Sequence, residues 1–334
     1  MLQLSVIIIG KNEERHIKPC IQAAIKAASK FKRYEILYVD SASTDRTVEI
    51  ATSFPITVLG LRPDWEHSPA GGRHIGYLNA SGDYLVFVDG DTLLYHDWIE
   101  KGIAYLKDNP KVGGVAGFVH EFLEDKSGNR IRFIKNRYEQ SESEHETCTF
   151  GGICIFPKAI LDQVGGFNPF VWADEERELA LRIRRAGYTL MRLPIRMSIT
   201  YGPERDTITE ILRRGSTRLG FFGIPIKYAH EYGGALQYIR ERLGFAVTFL
   251  FSLVFMLILF LIALITGYIT LFGLMLLIGF ALIVIARKGN IKSVVNSILR
   301  RAFLTYWTIR SYLQTEVHEV DGYPTDVIVH KKAG

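Results

Sequence analysis

The sequence predicts an α/β protein: a mostly parallel sheet with helices on both faces, followed by an α-helical hairpin long enough to cross a membrane twice. Three observations carry this. Short apolar runs alternate with helical patterns through the first 200 or so residues. Carboxylates or an asparagine stand just after several of those runs. Finally, Gly244 to Ala286 contains no Asp, Glu, Lys, Arg or His.

Taken in order, Leu4 to Ile9 reads as a strand and is followed by a helix to Phe31. Tyr34 to Val39 is the next strand, with a helix to Thr52, then the strand Ile56 to Leu59, another helix, and the strand Tyr84 to Val88. In an open sheet of this kind the ligand crevice lies outside the carboxyl ends of the strands, which singles out Asn12, Asp40, Asp89 and Asp91. Asp125 to Thr147 is polar and charge-rich, and a mobile loop is expected there. Order is expected to return with a strand at Ile153 to Phe156, a Gly165-Gly166 turn, a helix from about Asp174 to Ala186, and two short strands near Leu190 and Ile199. There is no internal repeat or low-complexity tract.

As one straight helix the uncharged run would span about 64 Å, twice a hydrocarbon core of about 30 Å. It is therefore expected to cross twice, turning at Thr266, Gly267, Tyr268 and Thr270. Arg240 and Arg242 precede it, Arg287, Lys288, Lys292, Arg300 and Arg301 follow it, and the turn carries no charge. The positive-inside rule then places both ends, the globular part and the tail, in the cytoplasm. Through Glu204 there are 25 basic and 27 acidic residues and beyond it 15 and 8, so the net charge of +5 arises in the membrane-associated part. This favours anionic membrane lipids over nucleic acid as the partner of the basic surface. After the hairpin, Val295, Leu299, Phe303, Tyr306 and Leu313 recur at helical spacing, as in a helix lying on the membrane or packed on the main domain. Cys20, Cys148 and Cys154 have neither zinc-site nor disulfide spacing, which fits a reducing compartment, and the amino-terminal apolar run is too short for a signal peptide. The expected division is a catalytic domain over 1–204, with halves 1–120 and 121–204, a basic interfacial segment over 205–243, the hairpin over 244–286 and an amphipathic tail over 287–334.

The sharpest motif is YLVFVDGDT, Tyr84 to Thr92, a strand that delivers Asp89 and Asp91 on either side of Gly90. Paired carboxylates suit Mg²⁺ or Mn²⁺, which takes its remaining ligands from phosphate and water, and Gly90 permits close approach of a diphosphate. Read alone, the same pair is a polar turn leading to a helix capped at Asp97. YVDSASTDRT, Tyr38 to Thr47, ends a strand in Asp40, which can accept a hydrogen bond from a base, while Thr44 and Asp45 read as helix caps. Asn12-Glu13-Glu14 after the first strand likewise reads as capping, and Arg73 as a surface arginine able to reach a phosphate.

In this order and spacing, over roughly Leu4 to Tyr201, these elements resemble the family 2 glycosyltransferases with the GT-A fold. The resemblance implies a nucleotide-sugar site made by the first strand with its Asn-Glu turn (Ile9, Asn12, Glu13), by Asp40 and Arg73, and by Asp89 and Asp91 as holders of a divalent cation. WADEERELALRIRRAGY, Trp172 to Tyr188, is similar to the family's acidic motif and implies a general base among Asp174, Glu175 and Glu176, with Glu176 at the matching position. Read alone, these carboxylates complement a helix dipole. Gly151, Gly152 and Trp172 would shape the acceptor pocket, and Arg214 and Arg218 are similar to the arginine-rich segment of membrane-bound members. The processive QxxRW motif is absent, which argues for adding one sugar.

The expected activity is inverting transfer from a UDP- or GDP-type sugar to a lipid-linked acceptor hydroxyl, in glycan or polysaccharide assembly. A polyprenyl phosphate acceptor would need no base. A nucleotidyltransferase would want a glycine-rich phosphate loop that GKNEERH does not provide, and a transporter would want ionisable residues within the hairpin.

Overall fold

The structure is a computed structural model that describes residues 4–125, 130–138, 142–202, 222–286 and 289–333. It divides into two compact units, Met1–Glu204 with Val317–Gly334, and Arg205–Glu316.

The first unit is built on one mixed α/β sheet. Strands β1 (Leu4–Gly10), β2 (Tyr34–Asp40), β3 (Thr57–Gly60) and β4 (Tyr84–Asp89) form its parallel half in the order β3-β2-β1-β4, separated in sequence by α1 (Ile17–Ala28), α2 (Thr47–Thr52) and α3 (Pro69–Asn79). β1 is buried through six of its seven residues, and α1 places Ile17, Cys20, Ile21, Ala24 and Ala28 on one buried stripe. α3 begins at Ser68, whose Oγ accepts from the Gly71 amide at 2.9 Å, with Pro69 in the first turn. It then lies so close to β1 that a Cβ at Gly76 would overlap the Ile7 side chain.

Beyond β4 the sheet is mixed. β5 (Thr92–Leu94), α4 (Trp98–Asp108), β6 (Val112–Glu124), β7 (Arg130–Arg137), β8 (His145–Glu146), β9 (Cys154–Pro157), α5 (Lys158–Val164), α6 (Glu175–Arg185) and β10 (Thr189–Gly202) follow in sequence. β9 runs antiparallel between β4 and β6, β10 is parallel to β6, and β5 and β8 pair antiparallel with β10.

Three expectations change here. The segment expected to be a loop over 125–147 contains β7, which pairs antiparallel with β6, and β8. β7 reads RIRFIKNR and leaves Ile131 and Phe133 exposed, so it lacks the apolar run that marks a buried strand. The two short strands near Leu190 and Ile199 are one strand, β10, made irregular by register shifts between Arg192 and Ser198. The tail does not act as one amphipathic piece, since residues from Val317 belong to the first unit. There β11 (Ile328–Lys331) adds antiparallel to the β3 edge, and Lys331 Nζ donates to the carbonyls of Thr52 and Phe54 at 2.8 and 2.7 Å. Exposed polar stretches with a four-residue strand leave little periodicity to read.

The second unit contains α7 (Gly223–Glu231), α8 (Ala235–Arg242), α9 (Gly244–Thr266), α10 (Ile269–Ala286) and α11 (Ile291–Gln314). Of these, α9 and α10 are long and apolar enough to cross a membrane. Their 23 and 18 residues correspond to about 34 and 27 Å, and their side chains face outward almost throughout. The turn falls where expected, with Gly267 in the left-handed region at φ 76°.

Candidate active site

The carboxyl ends of β1, β2 and β4 lie in register, Gly10 beside Asp40 and Ile9 beside Asp89, which brings the first three motifs to one edge of the sheet. The loops after β1 and β2 are tied to each other. Asn12 Oδ1 accepts from the Thr44 amide at 2.8 Å, Ser43 Oγ accepts from the Asn12 amide at 2.8 Å, and Thr47 Oγ1 and Asp45 Oδ2 accept from the amides of Glu13 and Glu14. Asn12 and Ala42 both sit at positive φ, 58° and 57°, so this clasp holds two residues in a costly conformation. The Asn-Glu turn is thus a clasp between loops rather than a simple cap. Asp40 is buried, its Oδ1 accepting from Tyr38 and Ser43 hydroxyls at 3.0 and 2.5 Å and its Oδ2 from the Ser43 amide at 2.7 Å. Burial, then the Asp40 charge, raises the Tyr38 phenol well above its ordinary value, so Tyr38 remains a donor.

Asp89 and Asp91 follow at the end of β4. Gly90 donates to the Ile9 carbonyl at 2.8 Å, and a Cβ there would stand 3.1 Å from the same oxygen. Asp91 is half-exposed and accepts from Thr92 Oγ1 at 3.2 Å. Among the described residues no three His, Cys, Asp or Glu side chains converge as a metal cage. Asp97 stands at the start of α4 but does not cap it with its side chain, pairing instead with Lys101 at 2.5 Å.

Arg73 is not a surface arginine. Its side chain is 3% exposed, Nη2 donates to Asp89 Oδ1 at 2.7 Å, and Nη1 donates to Glu175 Oε1 at 2.6 Å. One guanidinium therefore joins the DGD turn to the start of α6. Burial opposes its charge, yet Asp89 and Glu175 hold it as a cation, raised above its ordinary value. Asp174 precedes α6 at φ 58° and contacts Arg177 Nε at 3.5 Å.

Glu176 is half-buried, and among the described residues its carboxylate has no ion pair or side-chain hydrogen bond. Glu175 is raised by burial and then by Glu176, against the pull of Arg73. Glu176 is raised by burial, with Asp174 and Asp89 adding to the effect and Arg73 opposing it. The two carboxyls titrate as a pair, and the pair holds a proton to higher pH than an ordinary glutamate does.

The other half of the site is equally built. Gly152 lies on the Asp89 carboxylate, where a Cβ would overlap Oδ2, and Gly151 at φ 69° faces the Tyr138 hydroxyl. Trp172 is half-buried in the segment leading to α6. Arg214 and Arg218 lie outside the described residues.

Sequence reasoning missed three groups. Arg192 is buried in β10, donates to the carbonyls of Gly117 and Thr149 at 2.5 and 2.6 Å, and lies 4.2 Å from the Tyr138 ring centre; burial lowers it to about 10. Tyr138 itself sits at φ 71°. His16 lies between Glu13 at 3.2 Å and Glu124 at 3.1 Å. Only an arginine in an otherwise apolar strand pattern hinted at the first, and nothing local marked the other two.

This is the site of a GT-A-like domain, with acidic strand ends on one side and an acidic helix start on the other. Residues 5–165 match the model of Glycosyl transferase family 2, and the chain carries a domain of that family. Glycosyltransferase AglE of Haloferax volcanii is 26% identical over 192 residues, 56% of this chain and 63% of that protein. A dolichyl N-acetyl-α-D-glucosaminyl phosphate glucuronosyltransferase of Methanococcus voltae is 24% identical over 139 residues, 39% and 43% of the two chains. The matches thus span less than two thirds of these relatives' lengths. Among solved structures, the mannosyltransferase PcManGT of Pyrobaculum calidifontis, in complex with GDP-Man and Mn²⁺, is similar with a TM-score of 0.63 at 17% identity, covering 94% of this chain and 88% of that one. TarS 1–349 of S. aureus with UDP-GlcNAc reaches 0.50 at 16% identity, covering 67% and 66%. These likenesses establish the fold.

Proposed function

We propose that the protein is an inverting glycosyltransferase that moves one sugar from a nucleoside diphosphate donor to the hydroxyl of a lipid-linked acceptor at the cytoplasmic membrane face. The observation that carries this reading is the Arg73 bridge, because it couples Asp89 on the donor side to Glu175 beside the half-exposed Glu176. The dolichyl-linked acceptor in the Methanococcus relative's name supports the acceptor class, and the GDP-Man- and UDP-GlcNAc-bound neighbours support the donor class.

In this reading the Asn12–Ser43 clasp and Asp40 orient the nucleoside. Glu176 takes the proton of the acceptor hydroxyl, whose oxygen attacks the anomeric carbon from the face opposite the diphosphate. The bond from that carbon to the phosphate oxygen breaks, its electron pair leaves with the diphosphate, and the configuration inverts. Arg73 keeps Asp89 aimed while Glu175 remains engaged with Arg73, and the Gly151-Gly152 loop with Trp172 forms the acceptor wall. Two carboxylates at the end of β4 fit a divalent cation that takes its other ligands from phosphate and water. Asp91 and Asp89 would hold it, and when bound it would neutralise charge on the leaving diphosphate.

An ionised polyprenyl phosphate acceptor needs no base. A carboxylate without an ion pair, half-buried beside the bridge, favours the hydroxyl acceptor instead. Thermal unfolding of the full chain against a panel of nucleotide sugars, with and without Mn²⁺, tests the donor class, because a ligand of the folded state alone raises the transition. Asp91→Ala should melt at the unliganded temperature of the parent yet lose the metal-dependent increment. An undiminished increment in the mutant overturns the metal assignment.

A further inference from the structure

Arg192 is buried in β10, and among the described residues no carboxylate pairs with it. A buried charge without a counter-ion is costly, so an apolar residue would serve this strand position better if filling it were all that is required. Its three contacts account for the arginine. The register shift of β10 against β6 passes over Gly117, and Nη1 donates to the carbonyl of that residue. Nη2 donates to the Thr149 carbonyl at 2.6 Å, and the guanidinium lies on the Tyr138 ring. A planar fork with a flat face makes all three contacts at once, which a compact ammonium cannot do.

Two of these contacts lead to the same turn. Thr149 belongs to the segment Thr147 to Gly152, which starts with the Thr147 amide on the Leu190 carbonyl at 2.9 Å and passes through Phe150, fully buried against Phe156. At its far end Gly151 faces the Tyr138 hydroxyl, and Gly152 lies on the Asp89 carboxylate. Tyr138 is itself at φ 71°, a costly conformation for an aromatic residue that persists only where the surroundings impose it. Arg192 holds it from the ring face and Arg137 by a side-chain hydrogen bond, Arg137 being tied in turn to Glu121 at 2.9 Å. Guanidinium, phenol, Gly151, Gly152 and the Asp89 carboxylate therefore form one line of adjoining groups. Resting on the reading of Gly151-Gly152 as the acceptor wall, we propose that Arg192 is a positioning residue for the acceptor. Through Tyr138 and Thr149 it fixes that wall against Asp89, and so fixes where the acceptor hydroxyl stands relative to the start of α6. The loops assigned to the nucleoside hold each other through Asn12, Ser43 and Thr44 and do not depend on it.

The test compares the full chain with Arg192→Met, Arg192→Lys, Tyr138→Ala and the Tyr138→Ala/Arg192→Met double variant, all in phospholipid nanodiscs. The donors are the panel of nucleotide sugars with Mn²⁺, and the acceptor probe is a polyprenyl diphosphate carrying one N-acetylglucosamine. The donor-induced rise in the unfolding transition should be parental in every variant, which also shows that each folds. The acceptor KM should rise at least about tenfold in each single variant while the donor KM is unchanged, because small displacements at a reacting centre carry losses of that order. Lysine should not rescue, since charge alone holds neither the ring nor both carbonyls. The double variant should be no worse than the worse single one, because both changes break one connection. A parental acceptor KM in Arg192→Met, rescue by lysine, or losses that multiply in the double variant overturn the proposal. So does an equal loss of donor affinity, which would make Arg192 a residue of the fold alone. If the parent itself transfers no sugar to the probe from any donor, the hydroxyl-acceptor reading fails and this inference with it; the parent alone reports that failure, and the variants report the other.

Discussion

At the residue scale the site turns on a single buried cation. Removing one partner of a buried, hydrogen-bonded ion pair typically costs about 3–5 kcal/mol because the other charge remains uncompensated. Glu175→Ala should therefore lose part of that in chemical unfolding, because Arg73 keeps Asp89 as a partner, whereas Glu176→Gln should unfold as the parent does. The activities should diverge in the opposite sense. A general base contributes about 10² to 10⁴-fold, so Glu176→Gln should keep donor binding and lose at least about two orders of magnitude in transfer. Near-parental turnover with Asp174→Asn dead would move the base to position 174. Because the Glu175–Glu176 pair holds a proton above the ordinary glutamate range, transfer should rise with pH through a limb displaced upward from 4.5. His16 makes a separate pH prediction. Its hydrogen bond to Glu13, partly offset by burial and aided by Glu124, raises it from 6.5 to about 9. Protonated His16 then stabilises the fold fully below pH 6.5, and that contribution disappears as pH rises through 9. His16→Gln should flatten the fall in melting temperature across that window; an unchanged slope would remove His16 from the account. Asp40, Asp89 and Asp91 were legible because a carboxylate after an apolar run has little structural excuse. The burial of Arg73 was not, because α3 reads PAGGRHIGYLN and its packing depends on small residues that carry no hydropathy signal.

At the scale of elements, the parallel half of the sheet was legible from β1, β2 and β4, each an apolar run ending in a polar turn. What escaped were elements whose partners are distant. β6 gives no sign that β7 will cover its end, although Phe133 packs on His120 and Phe122 across the pair at 5.9 and 5.5 Å between ring centres. β11 is shorter still, and its attachment rests on Tyr323, a residue outside any strand. That ring is buried among Trp65, His74 and Phe170, its hydroxyl donates to the Glu66 carbonyl at 3.1 Å, and it lies where a Cβ on Gly71 would collide with it. Truncating a buried aromatic typically costs about 3–5 kcal/mol. Tyr323→Ala should show a loss within that range, and Tyr323→Phe much less. Hydrogen exchange should localise the change to α3 and the β3 edge. Equal protection there in the alanine variant would mean that β11 holds the edge without Tyr323.

At the scale of the whole molecule, the return of the chain to its first unit constrains topology independently of hydropathy. The chain leaves that unit at Glu204 and rejoins it at Val317, and β11 then pairs with β3 in the same sheet. Two strands of one sheet lie on one side of a membrane, so the excursion between them must make an even number of crossings. Two apolar helices satisfy this, and one would not. The direction of the hairpin rests on the arginines before it and the basic residues after it, with none in the turn. Labelling intact cells with a membrane-impermeant maleimide separates these points. Cys20 and Cys154 are buried and Cys148 is half-exposed, so Cys148 serves as the native reporter of the catalytic unit. In a Cys148→Ser background, Gly267→Cys should label from outside and Lys292→Cys only after permeabilisation; in the parent, Cys148 should be protected like position 292. Labels at positions 267 and 292 both from outside would leave a single crossing and contradict the sheet, and both only after permeabilisation would remove the hairpin altogether. The reverse pattern, with positions 148 and 292 outside and 267 inside, would keep the hairpin and invert its orientation, and the nucleotide sugar would then have to reach the site from outside the cytoplasm.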